Sequence, residues 1–306
     1  DPHLAGLQNR HSLRRVKTLI RKSPALVALI YGFAAIWLIM AAFPFVFTLL
    51  GSFKTELDFF GSDWRNVLSG KYTIEREGGY FTGIGYRLAF VQEGFWKAGI
   101  NTLVVTICTV GISLTFGTLG GYALARSTYH YAFWILMIAL VFRAMPHVTL
   151  VAGYKAPLFE YGIWGQTWVS IVVLVAINQP FTIWMMRSFF MNIPNELDES
   201  ALIDGCNRLQ GFWYVIMPVM WPGVITTGLF SFLLAYNDFT VTSALLSEQS
   251  ATMVPTINSY LGTAQQDGIQ MAAVAAVVSA TAPLFVLIMV FQRQLVSGLT
   301  AGAVKG

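Results

Sequence analysis

The chain has 306 residues, of which 56% are hydrophobic and only 11% are charged. Soluble domains carry about 25% charged residues, so this composition excludes an ordinary soluble protein. The formal net charge of +4 comes from basic residues confined to the amino-terminal tail and the predicted loops, so no nucleic-acid partner is expected. Neither the two cysteines nor the four histidines have metal-site spacing, and no disulfide is expected.

Six apolar segments are long enough to cross a bilayer, because its hydrocarbon core of about 30 Å needs about 20 helical residues. The sequence predicts an all-α membrane protein with six transmembrane helices, near residues 26–50, 99–123, 132–153, 167–187, 222–246 and 270–292. A five-helix alternative omits 132–153 and would place the termini on opposite sides of the membrane. The first apolar run is too long for a cleaved signal peptide, so we expect it to be retained.

The distribution of basic residues predicts the orientation, since short cytoplasmic loops are enriched in Lys and Arg. The tail 1–25 contains six basic residues, whereas the loop 247–268 contains none. Both termini are therefore predicted to be cytoplasmic, with 51–98 as an external loop. The same argument places the loop 188–221 in the cytoplasm and makes 294–306 a cytoplasmic tail.

Small residues recur at helical spacing in two of the predicted spans. Gly117 and Gly121 form a GxxxG pattern, and Ala272, Ala276 and Ala280 repeat every four residues. Such stripes allow close helix packing in lipid. We expect this packing to occur within the chain.

Polar residues interrupt the third and fourth predicted spans. Arg143 could pair with an acid, bind an anionic group of a substrate, or reach the interface by snorkelling. Asn178 and Gln179 precede Pro180, and these three residues predict a break in the fourth span. Such breaks are tolerated where they line a cavity.

The loop 188–221 has the pattern of two short helices. Asn195 is a candidate N-cap, and the acids after it suit the positive end of a helix dipole. Gly205 stands where a helix needs a left-handed residue at its end. Pro218 and Pro222 are expected to stop the second helix.

This loop resembles the coupling loop, or EAA loop, of the permease subunits of binding-protein-dependent ABC importers. Two residues depart from the family pattern, Ser200 for an Ala and Met217 for a Leu. The resemblance implies contact with a cytosolic ATPase, and the residues to which we assign the coupling role are Glu199, Ala201, Asp204, Gly205, Phe212 and Pro218.

Catalytic motifs are missing from the sequence. It has no phosphate-binding G-x-x-x-x-G-K-[ST] motif and no H-E-x-x-H arrangement. We therefore predict that the chain is not an enzyme and binds no cofactor or metal. By the resemblance, ATP and Mg²⁺ would be used by the partner ATPase.

The fifth predicted span contains the strongest candidates for a substrate path. A charged residue in a membrane helix is costly and marks a functional site by default. Tyr236, Asn237 and Asp238 are therefore assigned to the path together with Arg143. Asn237 and Asp238 could bond sugar hydroxyls, or they could make a structural bond to a neighbouring helix.

The carboxyl-terminal stretch 298–306 is similar to the tail of the maltose-type permeases in the carbohydrate branch of these importers. The family resemblance implies a permease core of about residues 99–293, with the first span as an added arm. It also implies a second, homologous permease, a homodimeric cytosolic ATPase and an extracytoplasmic sugar-binding protein, whose cleft the 247–268 loop would enter. The prediction is thus the permease subunit of an ABC importer for a sugar or polyol in a prokaryotic inner membrane. Alternatives are an amino-acid or glycerol-phosphate importer and an ion-coupled secondary transporter.

Overall fold

The structure is a computed structural model that describes residues 24–262 and 268–303. These residues form helices and turns with no extended strand among them, in agreement with the all-α prediction. Most of the predicted tail 1–25 lies outside the described residues. The chain divides into two compact units, residues 1–82 and residues 83–306.

The first unit begins with a long apolar helix, α1 (Pro24–Gly51), in which Gly51 is the only buried residue. A helix with an apolar surface all round is typical of a span surrounded by lipid. Three short helices follow, α2 (Glu56–Phe59), α3 (Arg65–Ser69) and α4 (Lys71–Glu77).

A buried carboxylate holds these short helices together. Asp58 accepts hydrogen bonds from the Tyr72 amide at 3.0 Å and from the Thr73 amide and hydroxyl at 2.8 and 2.6 Å. Lys54 is fully buried and donates to the Tyr80 carbonyl at 2.7 Å. Its Nζ also lies 3.1 Å from the centroid of the Tyr80 ring. Burial lowers the pKa of Lys54, and the nearby Asp58 charge partly offsets this effect.

The second unit contains the remaining helices. Two π-helical turns, Leu88–Gln92 and Phe212–Ile216, continue α5 and α11 respectively. The helices are α5 (Ile84–Arg87), α6 (Phe95–Arg126), α7 (His130–Arg143), α8 (His147–Glu160), α9 (Thr167–Phe190), α10 (Glu196–Ile203), α11 (Arg208–Gly211), α12 (Met217–Tyr236), α13 (Thr240–Leu245), α14 (Met253–Gly262) and α15 (Ile269–Ala303).

Five helical segments in the described part of the chain are long and apolar enough to cross a membrane. They are α1, α6, α9, α15 and the continuous run Arg208–Tyr236, which joins α11 to α12. Each overlaps a span predicted from the sequence. The described helices therefore support five of the six predicted spans as single helices.

The sixth predicted span, 132–153, is not a single helix. Its two halves, α7 and α8, meet at an angle of 84°. Each helix has 14 residues and is about 21 Å long, too short to cross the hydrocarbon core alone. Pro146 explains the break, because proline disfavours a helical conformation in the residue before it. The bent pair counts as a sixth span only if both halves are taken together.

Two other expectations about proline were wrong. Pro180 does not break α9, because the loss of one backbone donor is tolerated inside a membrane helix. Pro218 and Pro222 lie within α12 and do not stop the helix before it. Pro218 is in the first turn of α12, directly after the π-helical turn Phe212–Ile216, and the helical run continues through it.

The Gly117–Gly121 stripe packs α6 against α9 in the same chain, as expected. A β-carbon at Gly117 would lie 2.3 Å from the Cγ2 of Thr182, and one at Gly121 would lie 2.6 Å from the Cβ of Met186. Any side chain larger than hydrogen would push the two helices apart. On α15, Ala272 and Ala276 are fully buried and Ala280 packs beside them.

Candidate functional site

The predicted coupling segment folds as two short helices at one end of the second unit. Helix α10 ends at Ile203, and Gly205 follows with a φ of +87°, the left-handed conformation predicted for it. Asn207 then begins α11 with a capping box. The Gln210 backbone amide donates to Asn207 Oδ1, and the Asn207 backbone amide donates to Gln210 Oε1, both at 2.9 Å. Asn195 precedes α10, but its side chain makes no capping hydrogen bond, contrary to expectation.

Several of the assigned coupling residues pack inside the segment. Ala201 is buried, and its Cβ lies 3.2 Å from the position that a β-carbon would take at Gly211. A small residue is therefore needed here for α10 to pack on α11. Phe212 is also buried, with its ring centroid 4.8 Å from that of Tyr122 and 6.3 Å from that of Phe190.

The outer surface of the segment combines apolar and acidic side chains. Glu199 and Asp204 are exposed, and so is Pro218 at the start of α12. The large apolar side chains that face outward with them are Leu202, Ile203, Leu209, Trp213 and Tyr214. We call these five side chains the apolar ridge. Exposed apolar patches of this kind mark protein–protein contacts.

Two residues at the end of α6 hold α10 in place. The Tyr122 hydroxyl donates to Asp198 Oδ1 at 2.5 Å, and Arg126 Nε donates to Asp198 Oδ2 at 2.8 Å. Arg126 Nη2 lies 2.7 Å from the same oxygen as an ion pair. Arg126 Nη1 donates to the carbonyl of Phe190, the last residue of α9, at 3.3 Å and to that of Ile193 just beyond the helix at 3.1 Å. We call Tyr122, Arg126 and Asp198 the anchor.

Sequence reasoning did not find the anchor. By sequence, Asp198 is one of the acids that follow Asn195, and Arg126 is a basic residue just after the predicted span 99–123. The available signal was weak, since a Tyr and an Arg four residues apart share a helix face. Nothing local to α6 identifies an acid 72 residues further along the chain as their partner.

The residues assigned to the substrate path are in different environments. Tyr236 is buried and donates its hydroxyl to the Ala280 carbonyl at 2.9 Å. Asn237 ends α12 and donates to the Leu233 carbonyl at 3.0 Å. Asp238 accepts hydrogen bonds from the amides of Val241 and Thr242, at 3.0 and 2.9 Å.

Asp238 therefore caps the short helix α13, and the predicted span 222–246 is wrong at its carboxyl end. The helix stops at Tyr236 because the Asp238 side chain offers the backbone an alternative set of hydrogen bonds. The carboxylate is partnered by backbone amides, so it does not need a wet cavity or a cation. Its assignment to the path stays a prediction.

Arg143 is at the bend between α7 and α8 and lines a cavity of about 360 Å³. Its guanidinium carbon lies 4.7 Å from the centroid of the Phe181 ring on α9. Tyr236, Asn237 and Asp238 are not among the residues that line this cavity.

A second, larger cavity of about 630 Å³ lies between the start of α6 and the 247–262 segment. Asn101 donates to the Ala251 carbonyl at 3.1 Å, and the Thr102 hydroxyl accepts from the Met253 amide at 2.8 Å. These bonds attach the segment to α6. Tyr260 lines the cavity, and its burial together with the Glu93 charge raises its pKa to about 12.

No group of three or more His, Cys, Asp or Glu side chains that could hold a metal ion is found in residues 24–262 and 268–303. The predicted tail 298–306 is described as far as Ala303, where it continues α15. Its last three residues lie outside the described part.

Comparison with known proteins gives three findings. Residues 82–300 match the family described as binding-protein-dependent transport system inner membrane component. The chain is 31% identical to the diacetylchitobiose uptake system permease protein DasC of Streptomyces coelicolor, over 72% of this chain and 80% of that protein. It is 30% identical to the trehalose/maltose transport system permease protein MalG of Thermococcus litoralis, over 92% of this chain and 97% of that protein.

A solved structure has the same fold. It is that of a bacterial ABC transporter involved in the import of the acidic polysaccharide alginate, matched with a TM-score of 0.66. The match covers 87% of this chain and 97% of that chain at 18% sequence identity, so the likeness concerns the fold alone.

Proposed function

The chain belongs to the family of binding-protein-dependent transport system inner membrane components, and from this we propose that it carries a sugar or related polyol inward as an ABC importer permease. It is a multi-pass inner-membrane protein and not an enzyme. Its relatives DasC and MalG are named for diacetylchitobiose and for trehalose/maltose. These names support a disaccharide-sized solute.

The apolar ridge is the observation that carries the proposal. Ile203 is 85% exposed beside the polar turn that follows α10, and Tyr214 is 75% exposed in the π-helical turn Phe212–Ile216. Exposure of this surface to water is unfavourable, because burying apolar area would stabilise the protein by about 25 cal/mol per Å². A cytosolic ATPase that receives the ridge in a cleft would bury it.

The anchor would make this contact mechanically useful. Because Arg126 bonds at once to Asp198 and to the carbonyls at the end of α9, α10 cannot move without α6 and α9. A displacement of the ATPase would therefore reach two membrane helices directly. We propose that two copies of the ATPase supply the motion by using ATP and Mg²⁺.

The other proposed partners follow from the same function. A second, homologous permease would complete the path, and an extracytoplasmic binding protein would deliver the solute to the end that carries the cavity of about 630 Å³. Both termini and the coupling segment would then be cytoplasmic. The hydrogen-bonded state of Asp238 does not favour an ion-coupled secondary transporter, since that carboxylate already serves α13.

Copurification tests the proposal. The tagged chain, extracted from its native membrane in a mild detergent, is expected to bring an ATPase and a second permease with it. Replacing Ile203 by Ser should weaken ATPase recovery, because it removes the most exposed apolar side chain of the ridge. Val91, which is 76% exposed in the turn before α6, gives the matched control Val91→Ser.

The control should recover as much ATPase as the unaltered chain. The proposal fails if no ATPase accompanies the chain. If Ile203→Ser and Val91→Ser recover equal amounts of ATPase, the apolar ridge is not the site of ATPase contact.

A further inference from the structure

The bend between α7 and α8 encloses a cavity that the proposed function does not explain. Its volume is about 360 Å³, at the lower end of the range of about 300–1,000 Å³ for small-molecule pockets. Arg143 and His147 enter it from the two sides of the bend, and α9 closes it with Ala176 and Pro180. We call it the elbow cavity.

Arg143 has no acidic partner among the described residues. Its Nε is buried without a hydrogen-bond acceptor, and its guanidinium lies over the face of Phe181. Asp238, the acid on the neighbouring segment, is bonded to the amides that begin α13. The only ion pair in residues 24–262 and 268–303 joins Arg126 to Asp198, so Arg143 remains an uncompensated cation.

The rest of the cavity also favours an anion with hydroxyl groups. Helix α8 begins at His147, so the positive end of its dipole is at the bend. The Tyr154 hydroxyl can donate or accept. Pro180 has no N–H, which leaves the Ala176 carbonyl without its usual donor and able to accept from a hydroxyl. The Phe142 ring adds an apolar wall.

We propose that the elbow cavity binds an anionic group of the transported solute, a carboxylate, sulfonate or phosphate, with Arg143 as its main partner. A guanidinium offers two parallel donors to such a group, which a neutral sugar cannot use fully. The substrate class becomes an acidic sugar or polyol. This inference rests on the proposed function, but the anion site can be tested without an ATPase.

The test measures how charge affects the reaction of a cysteine in the cavity. Ala139 lines the cavity and is replaced by Cys in a chain whose two native cysteines, Cys108 and Cys206, are replaced by Ala. The full chain is reconstituted in phosphatidylcholine vesicles. Two thiol reagents of similar size are compared, the anionic methanethiosulfonate ethylsulfonate and the cationic methanethiosulfonate ethyltrimethylammonium.

The anionic reagent should react at least about 10-fold faster than the cationic one. This ratio is expected because only the anionic reagent can accept a hydrogen bond from the charged Arg143 side chain. Arg143→Gln should bring the two rates within about 2-fold of each other. Lys155→Gln, which removes a cation of α8 outside the cavity lining, should leave the ratio unchanged. Glucuronate should slow the anionic reagent, and glucose at the same concentration should not.

Four results would overturn the inference. Equal rates for the two reagents, or an unchanged ratio in Arg143→Gln, would show that Arg143 does not attract anions. Equal protection by glucose would remove the preference for a charged solute. Loss of the glucuronate effect on adding phosphatidylglycerol would assign the cavity to a lipid headgroup. Failure of the ATPase to copurify would instead contradict the proposed function.

Discussion

Replacing Asp198 by Asn tests whether the anchor transmits motion from the coupling segment. Asn keeps the size of the side chain but loses the charge that pairs with Arg126, whose Nε and Nη2 lie within 2.8 Å of Oδ2. Losing one partner of a fully buried pair costs about 3–5 kcal/mol, and an exposed pair is worth about 0–1 kcal/mol. The two side chains are 18% and 22% exposed, nearer the buried limit. We expect the docking of α10 on α6 to weaken by about 2–3 kcal/mol.

This loss corresponds to about a 30- to 150-fold shift of the docking equilibrium towards an undocked α10, since each step of about 1.4 kcal/mol changes an equilibrium constant tenfold. The assay compares solute-stimulated ATPase activity and uptake in proteoliposomes that contain the whole complex. Uptake should fall while basal ATP hydrolysis and copurification persist, because the apolar ridge is intact. Glu196→Gln is the control, as it neutralises another acid of α10 that makes no side-chain hydrogen bond. Unchanged uptake per ATP hydrolysed in Asp198→Asn would refute the anchor's role in transmission.

Two further predictions concern the cap of α13 and the segment 51–82. Asp238→Ala should lower uptake, because it removes the cap of α13 at a cost of about 1 kcal/mol, whereas Asp238→Ser should restore most of it. Failure of Ser to restore uptake would favour a path role for the charge. Because burial lowers the pKa of Lys54, the unfolded segment binds more protons between that pKa and about 10.4. Resistance of the 51–82 segment to proteolysis should therefore rise with pH in that window, and Lys54→Met should abolish the rise.

The sequence predicted the long helices well because lipid imposes a simple requirement on them. A span must present apolar side chains over about 20 residues, and this property is visible without knowledge of any partner. The glycine stripe of α6 and the left-handed Gly205 were predictable for a similar reason. In both cases the residue type itself carries the constraint, through close approach at Gly117 or a positive φ at Gly205.

The errors arose where a polar group has several possible partners. The span 222–246 was predicted to run too far, because the sequence does not indicate that two amides just after Asp238 donate to its carboxylate and begin a new helix there. Pro180 was expected to break α9, although a membrane helix can lose one hydrogen bond and continue. The chain bends at Pro146 but continues as a helix through Pro180, so a proline alone does not predict a break.

The lengths of α6 and α15 place a condition on the membrane that surrounds them. They contain 32 and 35 residues and so measure about 48 and 52 Å, well beyond a hydrocarbon core of about 30 Å. The excess is taken up by tilt or projects into the headgroup region. Arg126, the last residue of α6, would lie in that region, where its charge costs little. Since the anchor joins α6 to α10, bilayer thickness would change the angle of the coupling segment, so activities should be compared only in lipids of one chain length.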